Sequence, residues 1–341
     1  MKLQKLPELL LPWYETHRRD LPWRRDREPY HVWLSEIMLQ QTRVEAVRGY
    51  YLRFLEALPD IAALASCEDD RLHKLWEGLG YYSRVRNLKK AAQVIMEQHA
   101  GVFPRDYAAI RALPGIGDYT AGAVSSICFG QPEPAVDGNV LRVISRLTAS
   151  EEPVTRPQTK KQITEQVREI YPAGRCGDFT QALMELGAMV CLPNGAPNCE
   201  VCPLSELCGS KEGELWKKIP VKEQKKARRQ EEKTVFLLRC DGRLAVRKRP
   251  PQGLLAGLWE FPNVEGILEA QAALEQAAQW GCAPRELIKS VGKQHIFTHI
   301  QWDMTAFVIE CSEASPEFCW ADAQELDTLY SLPTAFRQFR E

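Results

Sequence analysis

Leu113-Pro114-Gly115-Ile116-Gly117 is the stretch of this sequence that decides the fold. It lies between two runs of helical character, and Pro114 pre-sets a turn while Gly115 and Gly117 allow left-handed angles and close approach of a ligand. The backbone amides of such a turn, where a helix opens at Tyr119, form a seat for an anion. The stretch predicts a phosphate-binding turn between two helices, although an ordinary helix end followed by a new helix explains the same residues.

One carboxylate follows this turn at a fixed distance. Asp137 comes twenty residues after Gly117, inside Val136-Asp137-Gly138-Asn139-Val140. The turn and Asp137 together therefore indicate a phosphate-binding site with one carboxylate near it. The alternative role for Asp137 is a helix N-cap, and one residue can serve both roles.

Length and composition point to two globular domains. The chain has 341 residues and a hydrophobic content of 45%, which suffices for two proper cores. Because no export signal or long apolar segment is evident, we expect a cytoplasmic protein in a reducing compartment, with no membrane contact. The net charge of −1 argues against a strong global field for nucleic acid, so any such contact must use local patches and backbone donors.

The spacing of apolar residues divides the chain into a helical and a mixed half. Helical spacing recurs over 32–39, 50–58 and 88–95, which predicts an all-α domain over 1–210. A basic, solvated linker follows over 211–233. From residue 234 short strands flank the Asp241-Gly242 hairpin turn, a helix is predicted over Leu268–Trp280 and a strand over Ile300–Glu310. The second domain, 234–341, is therefore α+β.

Four of the eleven cysteines lie close together, with the spacing Cys191-x7-Cys199-x2-Cys202-x5-Cys208. Structural zinc is usually built from two Cys-x2-Cys pairs, and this loop has one. Unequal spacings on a loop suit a [4Fe–4S] cluster better. Zinc and an absence of metal remain as alternatives.

The motif Ser35-Glu36-Ile37-Met38-Leu39-Gln40-Gln41-Thr42, taken with the helix-hairpin-helix turn at 113–117, Asp137 and the cysteine loop, resembles the endonuclease III superfamily of DNA glycosylases. Over essentially its full length the chain is similar to the MutY-type adenine DNA glycosylases. The family usually has six residues between its first two cysteines, and this chain has seven. The resemblance implies a monomeric base-excision-repair enzyme that acts on double-stranded DNA with A:8-oxoguanine or A:G mispairs.

Two carboxyl groups form the minimal set for cleaving an N-glycosidic bond, since one must protonate the base and the other stabilise the sugar cation. Glu36 lies in an apolar run where burial raises its pKa; a solvated helical glutamate is the alternative. By family analogy Glu36 protonates adenine at N7 and Asp137, held ionised, faces C1′. The resemblance implies that Tyr119 and Asn139 orient these groups.

Tyr119 also predicts the subclass. Relatives that cleave the DNA backbone carry a lysine at this place and form a Schiff base, whereas a phenol cannot form an imine. We therefore expect a monofunctional glycosylase that leaves an abasic site. The adenine must leave the stack, and Gln41, Thr42 and Tyr81 stand where the family inserts a wedge; helix packing is the alternative for Tyr81.

The segment 18–25 mixes basic and aromatic residues. Arg19, Trp23 and Arg24 are candidates for a base pocket or for phosphate contacts, and a solvated charged turn explains them equally well.

The second domain contains Gly257-Leu258-Trp259-Glu260-Phe261-Pro262, which resembles the start of a Nudix (MutT-like) fold. Its following helix offers Glu269 and Glu275 but no carboxylate-rich array for Mg²⁺, so we expect the fold without the hydrolysis. Phe297-Thr298-His299 matches the family's usual Phe-Ser-His loop, which implies contact with 8-oxoguanine; a strand end with a satisfied histidine is the alternative.

Three rival functions stay open on the sequence. They are a bifunctional glycosylase/lyase for oxidised pyrimidines, a lesion-binding protein without catalysis, and a nucleotide pyrophosphohydrolase.

Overall fold

The computed structural model describes residues 3–223 and 227–340. These residues form two compact units: one contains residues up to 66 together with 86–223, and the other contains 67–85 together with 227–340. No helix in these described ranges combines the length and the apolar character needed to cross a membrane.

Up to residue 223 the secondary structure is helical. The helices are α1 (Leu6–His17), α2 (Pro29–Leu39), α3 (Val44–Ala57), α4 (Ile61–Ser66), α5 (Asp69–Leu75), α6 (Ser83–Gln98), α7 (Tyr107–Ala112), α8 (Asp118–Phe129), α9 (Gly138–Thr148), α10 (Pro157–Arg168) and α11 (Cys176–Met189). Short 3-10 turns cover Leu3–Lys5, Pro22–Arg24, Cys199–Val201, Ser205–Leu207 and Glu212–Lys217.

One apolar core fixes the start of α9. It packs α1, α9 and α11 together through fully buried side chains such as Leu10, Ile144 and Phe179. Burying a side chain of this size contributes roughly 1.5–3 kcal/mol, so the three helices form a rigid support. Asp137, the N-cap residue of α9, is held by this support.

The predicted hairpin turn joins α7 to α8. Gly115 has φ +75°, and a Cβ there would lie 2.5 Å from Asn87 Cβ, so both its conformation and its surroundings require glycine. Gly117 differs from the prediction, because its φ is −94° and it is the N-cap residue of α8. The helix accordingly begins at Asp118, one residue before the predicted Tyr119.

From residue 229 the chain forms a mixed sheet with flanking helices. The elements are β1 (Arg229–Cys240), β2 (Arg243–Lys248), β3 (Trp259–Glu260), β4 (Asn263–Glu265), α12 (Ala270–Gln279), β5 (Pro284–Ile296), β6 (Ile300–Cys311), β7 (Cys319–Ala321), α13 (Ala323–Thr328) and α14 (Thr334–Arg337). The sheet order is β3-β2-β1-β6-β5, with β4 beside β1 and β7 beside β2.

The sheet confirms the predicted hairpin and strand. β1 and β2 pair antiparallel across Asp241-Gly242, with Cys240 opposite Arg243. β6 pairs parallel with β1, so that Arg229 lies opposite Ile300. Two apolar cores cover the faces of this sheet, as expected for an α+β domain.

The boundaries of the units differ from the predicted ones. β1 begins at Arg229, inside the predicted linker 211–233, because its backbone pairing with β6 does not require apolar side chains. Part of that linker, residues 224–226, lies outside the described residues. Residues 67–85 belong to the second unit, where Leu332 N donates to Glu77 Oε1 at 2.9 Å and Ser331 Oγ donates to His73 O at 3.2 Å.

Candidate active site and cysteine loop

A cavity of about 680 Å³ lies within the helical unit. Nine of the residues singled out from the sequence line it: Glu36, Asp137, Tyr119, Asn139, Gln41, Thr42, Arg19, Trp23 and Arg24. Helices α2, α8, α9 and α11 all contribute walls, so residues far apart in sequence meet here.

Glu36 is a buried acid on α2, with 6% of its surface exposed. Tyr119 OH, on α8, donates a hydrogen bond to its Oε2. The pKa of Glu36 is raised to about 7, chiefly by burial and also by the nearby Asp137, while the Tyr119 hydrogen bond and Arg24 oppose the rise. The side chain therefore holds a proton that it can give up near neutral pH.

Asp137 is the second carboxyl group of the cavity. Its Oδ1 accepts from Val140 N at 2.8 Å, which makes it the side-chain N-cap of α9. Its Oδ2 accepts from Asn139 Nδ2 at 2.7 Å. Burial raises its pKa above the ordinary value, and these donors together with Arg142 oppose the rise. Asp137 is therefore both the N-cap residue of α9 and a lining residue of the cavity.

Asn139 is itself held by two neighbours. Its Oδ1 accepts from Arg142 Nη2 at 2.8 Å, and the same guanidinium donates to Gly187 O at 2.8 Å and to Cys191 O at 2.8 Å. A Cβ on Gly187 would lie 2.5 Å from Asn139 Cβ. The amide is thus fixed in the orientation that lets it donate to Asp137.

Arg19 and Arg24 converge on Glu185, a residue of α11 with no exposed surface. Arg19 donates to it from Nε and Nη2 at 2.8 Å each, and Arg24 from Nη2 at 2.7 Å. Burial raises the pKa of Glu185, but these hydrogen bonds and the arginine charges outweigh it and bring the pKa to about 2. The solvated-turn alternative does not describe Arg24, whose side chain is 14% exposed.

Sequence reasoning missed three residues of the cavity: Glu185, Gln181 and Lys160. Gln181 Oε1 accepts from Tyr14 OH at 2.9 Å, which fixes the side chain at the cavity wall. Glu36 was predicted because it is a carboxyl group within an apolar run. Glu185 lies in a similar run, Ala182-Leu183-Met184-Glu185-Leu186, and could have been found in the same way. Gln181 and Lys160 carry no such local signal.

Several predicted residues lie outside this cavity. Gly115 and Gly117 form the α7–α8 turn. Tyr81 does not line the cavity with Gln41 and Thr42; it belongs to the second unit, where its hydroxyl lies 3.0 Å from Thr298 Oγ1. Its φ of +47° makes it a strained, non-glycine residue of a turn.

The loop 297–299 is partly exposed. Thr298 and His299 are exposed, whereas Phe297 packs edge-on against Trp302, with the two ring centroids 4.8 Å apart. In the same domain the predicted Nudix-type segment contains the buried Glu260, which accepts from Arg247 Nε at 2.9 Å and pairs with Arg249.

The four clustered cysteines surround one small cavity of the helical unit, together with Arg146, Ser210 and Lys211. Arg146 Nη1 donates to Cys191 Sγ at 3.3 Å. Burial raises the pKa of Cys202 to about 11, and the neighbouring thiols add to the rise. Four sulfurs in this position need positive charge among them to ionise together.

Families of known proteins match both units. HhH-GPD superfamily base excision DNA repair proteins match residues 34–172, and the NUDIX domain family matches residues 234–341. The structure of a thermostable thymine-DNA glycosylase is 31% identical, with a TM-score of 0.56, and the similarity covers 62% of this chain and 97% of that one.

Curated relatives extend the similarity across the whole chain. The adenine DNA glycosylase of Schizosaccharomyces pombe is 32% identical over 416 residues, covering 100% of this chain and 90% of that protein. The adenine DNA glycosylase of Homo sapiens is 36% identical over 352 residues, covering 86% of this chain and 64% of the human protein. The resemblance and the fold class predicted from the sequence are confirmed: the chain belongs to the adenine DNA glycosylase family, within the HhH-GPD superfamily of base excision DNA repair proteins.

Proposed function

We propose that this protein hydrolyses the N-glycosidic bond of adenine mispaired with 8-oxoguanine, or with guanine, in double-stranded DNA. The observation that carries this proposal is the meeting of Glu36 and Asp137 in one cavity, with the pKa of Glu36 raised to about 7. An acid that is protonated near neutral pH and a second carboxyl group are the pair that this hydrolysis needs.

The reaction divides between the two carboxyl groups. Glu36 donates its proton to the adenine at N7, and the bond from C1′ to N9 breaks with its electron pair passing to the base. Asp137 faces the sugar and stabilises the positive charge that develops at C1′. Water then attacks C1′ and returns a proton to Glu36, which restores the acid.

Tyr119 and Asn139 hold this pair in position. Tyr119 donates to Glu36 and Asn139 donates to Asp137. Because Tyr119 carries no amine, no imine forms at C1′, and the product is an abasic site in an uncut strand.

Access to the buried acid requires that the adenine leave the helix stack. Gln41 and Thr42 line the cavity, and we assign them to the gap that the adenine leaves in the duplex. The left-handed Gly115 turn, with the backbone amides that open α8, is the contact for a DNA phosphate. Arg19, Trp23 and Arg24 form a wall for the extruded base.

The second unit supplies recognition of the opposite base. Thr298 is exposed, and its hydroxyl lies beside that of Tyr81. Two hydroxyl groups of this kind suit the hydrogen-bonding edge of 8-oxoguanine, with Phe297 and His299 beside them. α12 offers Glu275, which is engaged by Gln271 Nε2 at 3.1 Å, and no carboxylate-rich array for nucleotide hydrolysis.

The cysteine loop fits a [4Fe–4S] cluster. Among residues 3–223 and 227–340, no three His, Cys, Asp or Glu side chains converge enough to hold a single metal ion. The four thiols surround a common cavity, and their unequal spacing along the chain suits a cubane better than zinc. When bound, the cluster would supply the positive charge that the four thiolates need and would fix the conformation of the cysteine loop. Arg146, through its bond to Cys191 Sγ, ties that loop to α9.

A panel of labelled duplexes tests this proposal. Duplexes carrying A:8-oxoguanine, A:G, A:T and thymine glycol are incubated with the full-length protein, and base release is measured after hot alkali. Release of adenine from the first two supports the proposal. Release from thymine glycol alone would overturn it in favour of the pyrimidine enzyme.

Borohydride trapping tests the subclass. We expect no covalent protein–DNA adduct that depends on a specific lysine. Lys160→Ala is the informative control, since this lysine lines the cavity. An adduct in the wild type that is lost in Lys160→Ala would show lyase chemistry and contradict the monofunctional assignment.

A further inference from the structure

Ser210 is a buried serine whose hydroxyl has no partner. It is 1% exposed, and within the described parts of the chain no group forms a hydrogen bond with its Oγ. Leaving a buried hydroxyl unsatisfied costs about 1–3 kcal/mol. The hydroxyl therefore indicates an acceptor that belongs to the functional protein.

The position of Ser210 identifies that acceptor. Ser125 and Ser145 also have buried hydroxyls without partners, but neither lines the cavity that the four clustered cysteines surround, whereas Ser210 does. Its backbone is fixed there, because Ser210 N donates to Arg146 O at 3.1 Å. Ser210 is thus held at the cavity that the four cysteines surround.

We propose that Ser210 Oγ donates a hydrogen bond to a sulfur of the iron–sulfur cluster held by Cys191, Cys199, Cys202 and Cys208, and thereby raises the reduction potential of the cluster. This inference rests on the proposed cluster. In this inference the serine changes the reduction potential of the cluster and does not bind its iron.

One other donor at this cavity is directed at a cysteine sulfur. Arg146 Nη1 donates to Cys191 Sγ at 3.3 Å. The Ser210 hydroxyl adds a second, neutral donor from a position that water does not reach.

The expected consequence concerns the oxidation state. One-electron reduction adds negative charge to the sulfurs, and a donor stabilises the more negative state. Removing the hydroxyl makes reduction less favourable without breaking any bond to iron. We expect the equilibrium constant for one-electron reduction to fall about tenfold, which corresponds to ~59 mV.

The test compares three variants of the full-length protein by voltammetry on an electrode. Ser210→Ala removes the hydroxyl and should shift the midpoint potential to a more negative value. Ser210→Thr keeps a hydroxyl and should stay closer to the wild type. Ser205→Ala is the matched control, because Ser205 lines the same cavity but is only partly buried, and it should leave the potential unchanged.

A spectroscopic measurement checks the contact directly. In D₂O, electron–nuclear double resonance of the cluster in a paramagnetic oxidation state should show an exchangeable deuteron that is lost in Ser210→Ala and retained in Ser205→Ala. An unchanged potential and an unchanged deuteron signal in Ser210→Ala would overturn the inference.

Failure of the inference is distinguishable from failure of the proposed cluster. If the purified wild type contains no iron and no acid-labile sulfide, the cluster itself is wrong. If it contains both and Ser210→Ala behaves as the wild type does, only the role of Ser210 is wrong.

Discussion

Two walls of one cavity each carry a buried glutamate, and their pKa values move in opposite directions. Glu36, on α2, accepts a hydrogen bond from one phenol and forms no ion pair within the described part of the chain, and burial raises its pKa to about 7. Glu185, on α11, faces two guanidinium groups, and its pKa falls to about 2. Burial is common to both, so the difference comes from the partners. It supports the proposed proton transfer by Glu36 and leaves Glu185 as a fixed negative charge.

The largest expected effect tests the acid. Glu36→Gln keeps the size and polarity of the side chain but removes the transferable proton. We expect adenine release to slow by about 10²–10⁴-fold, measured in single-turnover assays on an A:8-oxoguanine duplex. Binding to the same duplex should persist, and a variant that releases adenine at the wild-type rate would contradict the assignment.

The next effect tests the structural role of the other glutamate. Glu185→Ala leaves Arg19 and Arg24 without their shared carboxylate in a partly buried site. We expect the free energy of unfolding to fall by about 4 kcal/mol, measured by denaturant titration at neutral pH. The triple variant Arg19→Met, Arg24→Met and Glu185→Leu removes all three charges and should recover part of the loss. An equal loss in both variants would show that packing, and not the charge network, is responsible.

A third prediction uses pH to compare the wild type with Glu36→Gln. The pKa of Glu36 is raised from 4.5 to about 7, so the folded state favours the protonated form. The resulting stability is fully present below pH 4.5 and is lost as pH rises through about 7. Glu36→Gln should lack this dependence and exceed the wild type by about 3 kcal/mol at pH 8. If the free energy of unfolding changed with pH in the same way in the two proteins, this prediction would be wrong.

The smallest effect concerns the hydrogen bond from Tyr119 to Glu36. The Tyr119 donor lowers the pKa of Glu36, so Tyr119→Phe should raise it. We expect the high-pH limb of the rate profile, where activity falls as Glu36 loses its proton, to move to higher pH. A limb that moves to lower pH would show that the phenol stabilises the protonated acid instead.

The sequence predicted Glu36 correctly as a buried side chain but could not distinguish it from Glu185. Both lie in apolar helical runs, and that local signal reports burial alone. The partner that lowers the pKa of Glu185 is Arg19, 166 residues away in the chain. Contacts between residues so far apart in the chain follow from the fold, and no pattern in the neighbouring sequence indicates them.

For the fold as well, features set by neighbouring residues could be predicted, and features set by distant contacts could not. Turns such as Asp241-Gly242 and the left-handed Gly115 depend on neighbouring residues and were predictable. The start of β1 at Arg229 depends on backbone pairing with β6, and the association of residues 67–85 with the second unit depends on contacts such as that of Ser331 with His73 O. Neither leaves a periodic pattern in the sequence.

Gly187 touches neither carboxyl group, yet its missing side chain leaves the space that the Asn139 side chain occupies. One added carbon atom at position 187 would push the amide off Asp137 while leaving every ionisable group of the cavity in the chain. Such a protein would fold around a misaligned site. A harmful substitution in this enzyme therefore need not alter any reacting residue, and its defect would escape any inspection confined to the carboxyl groups themselves.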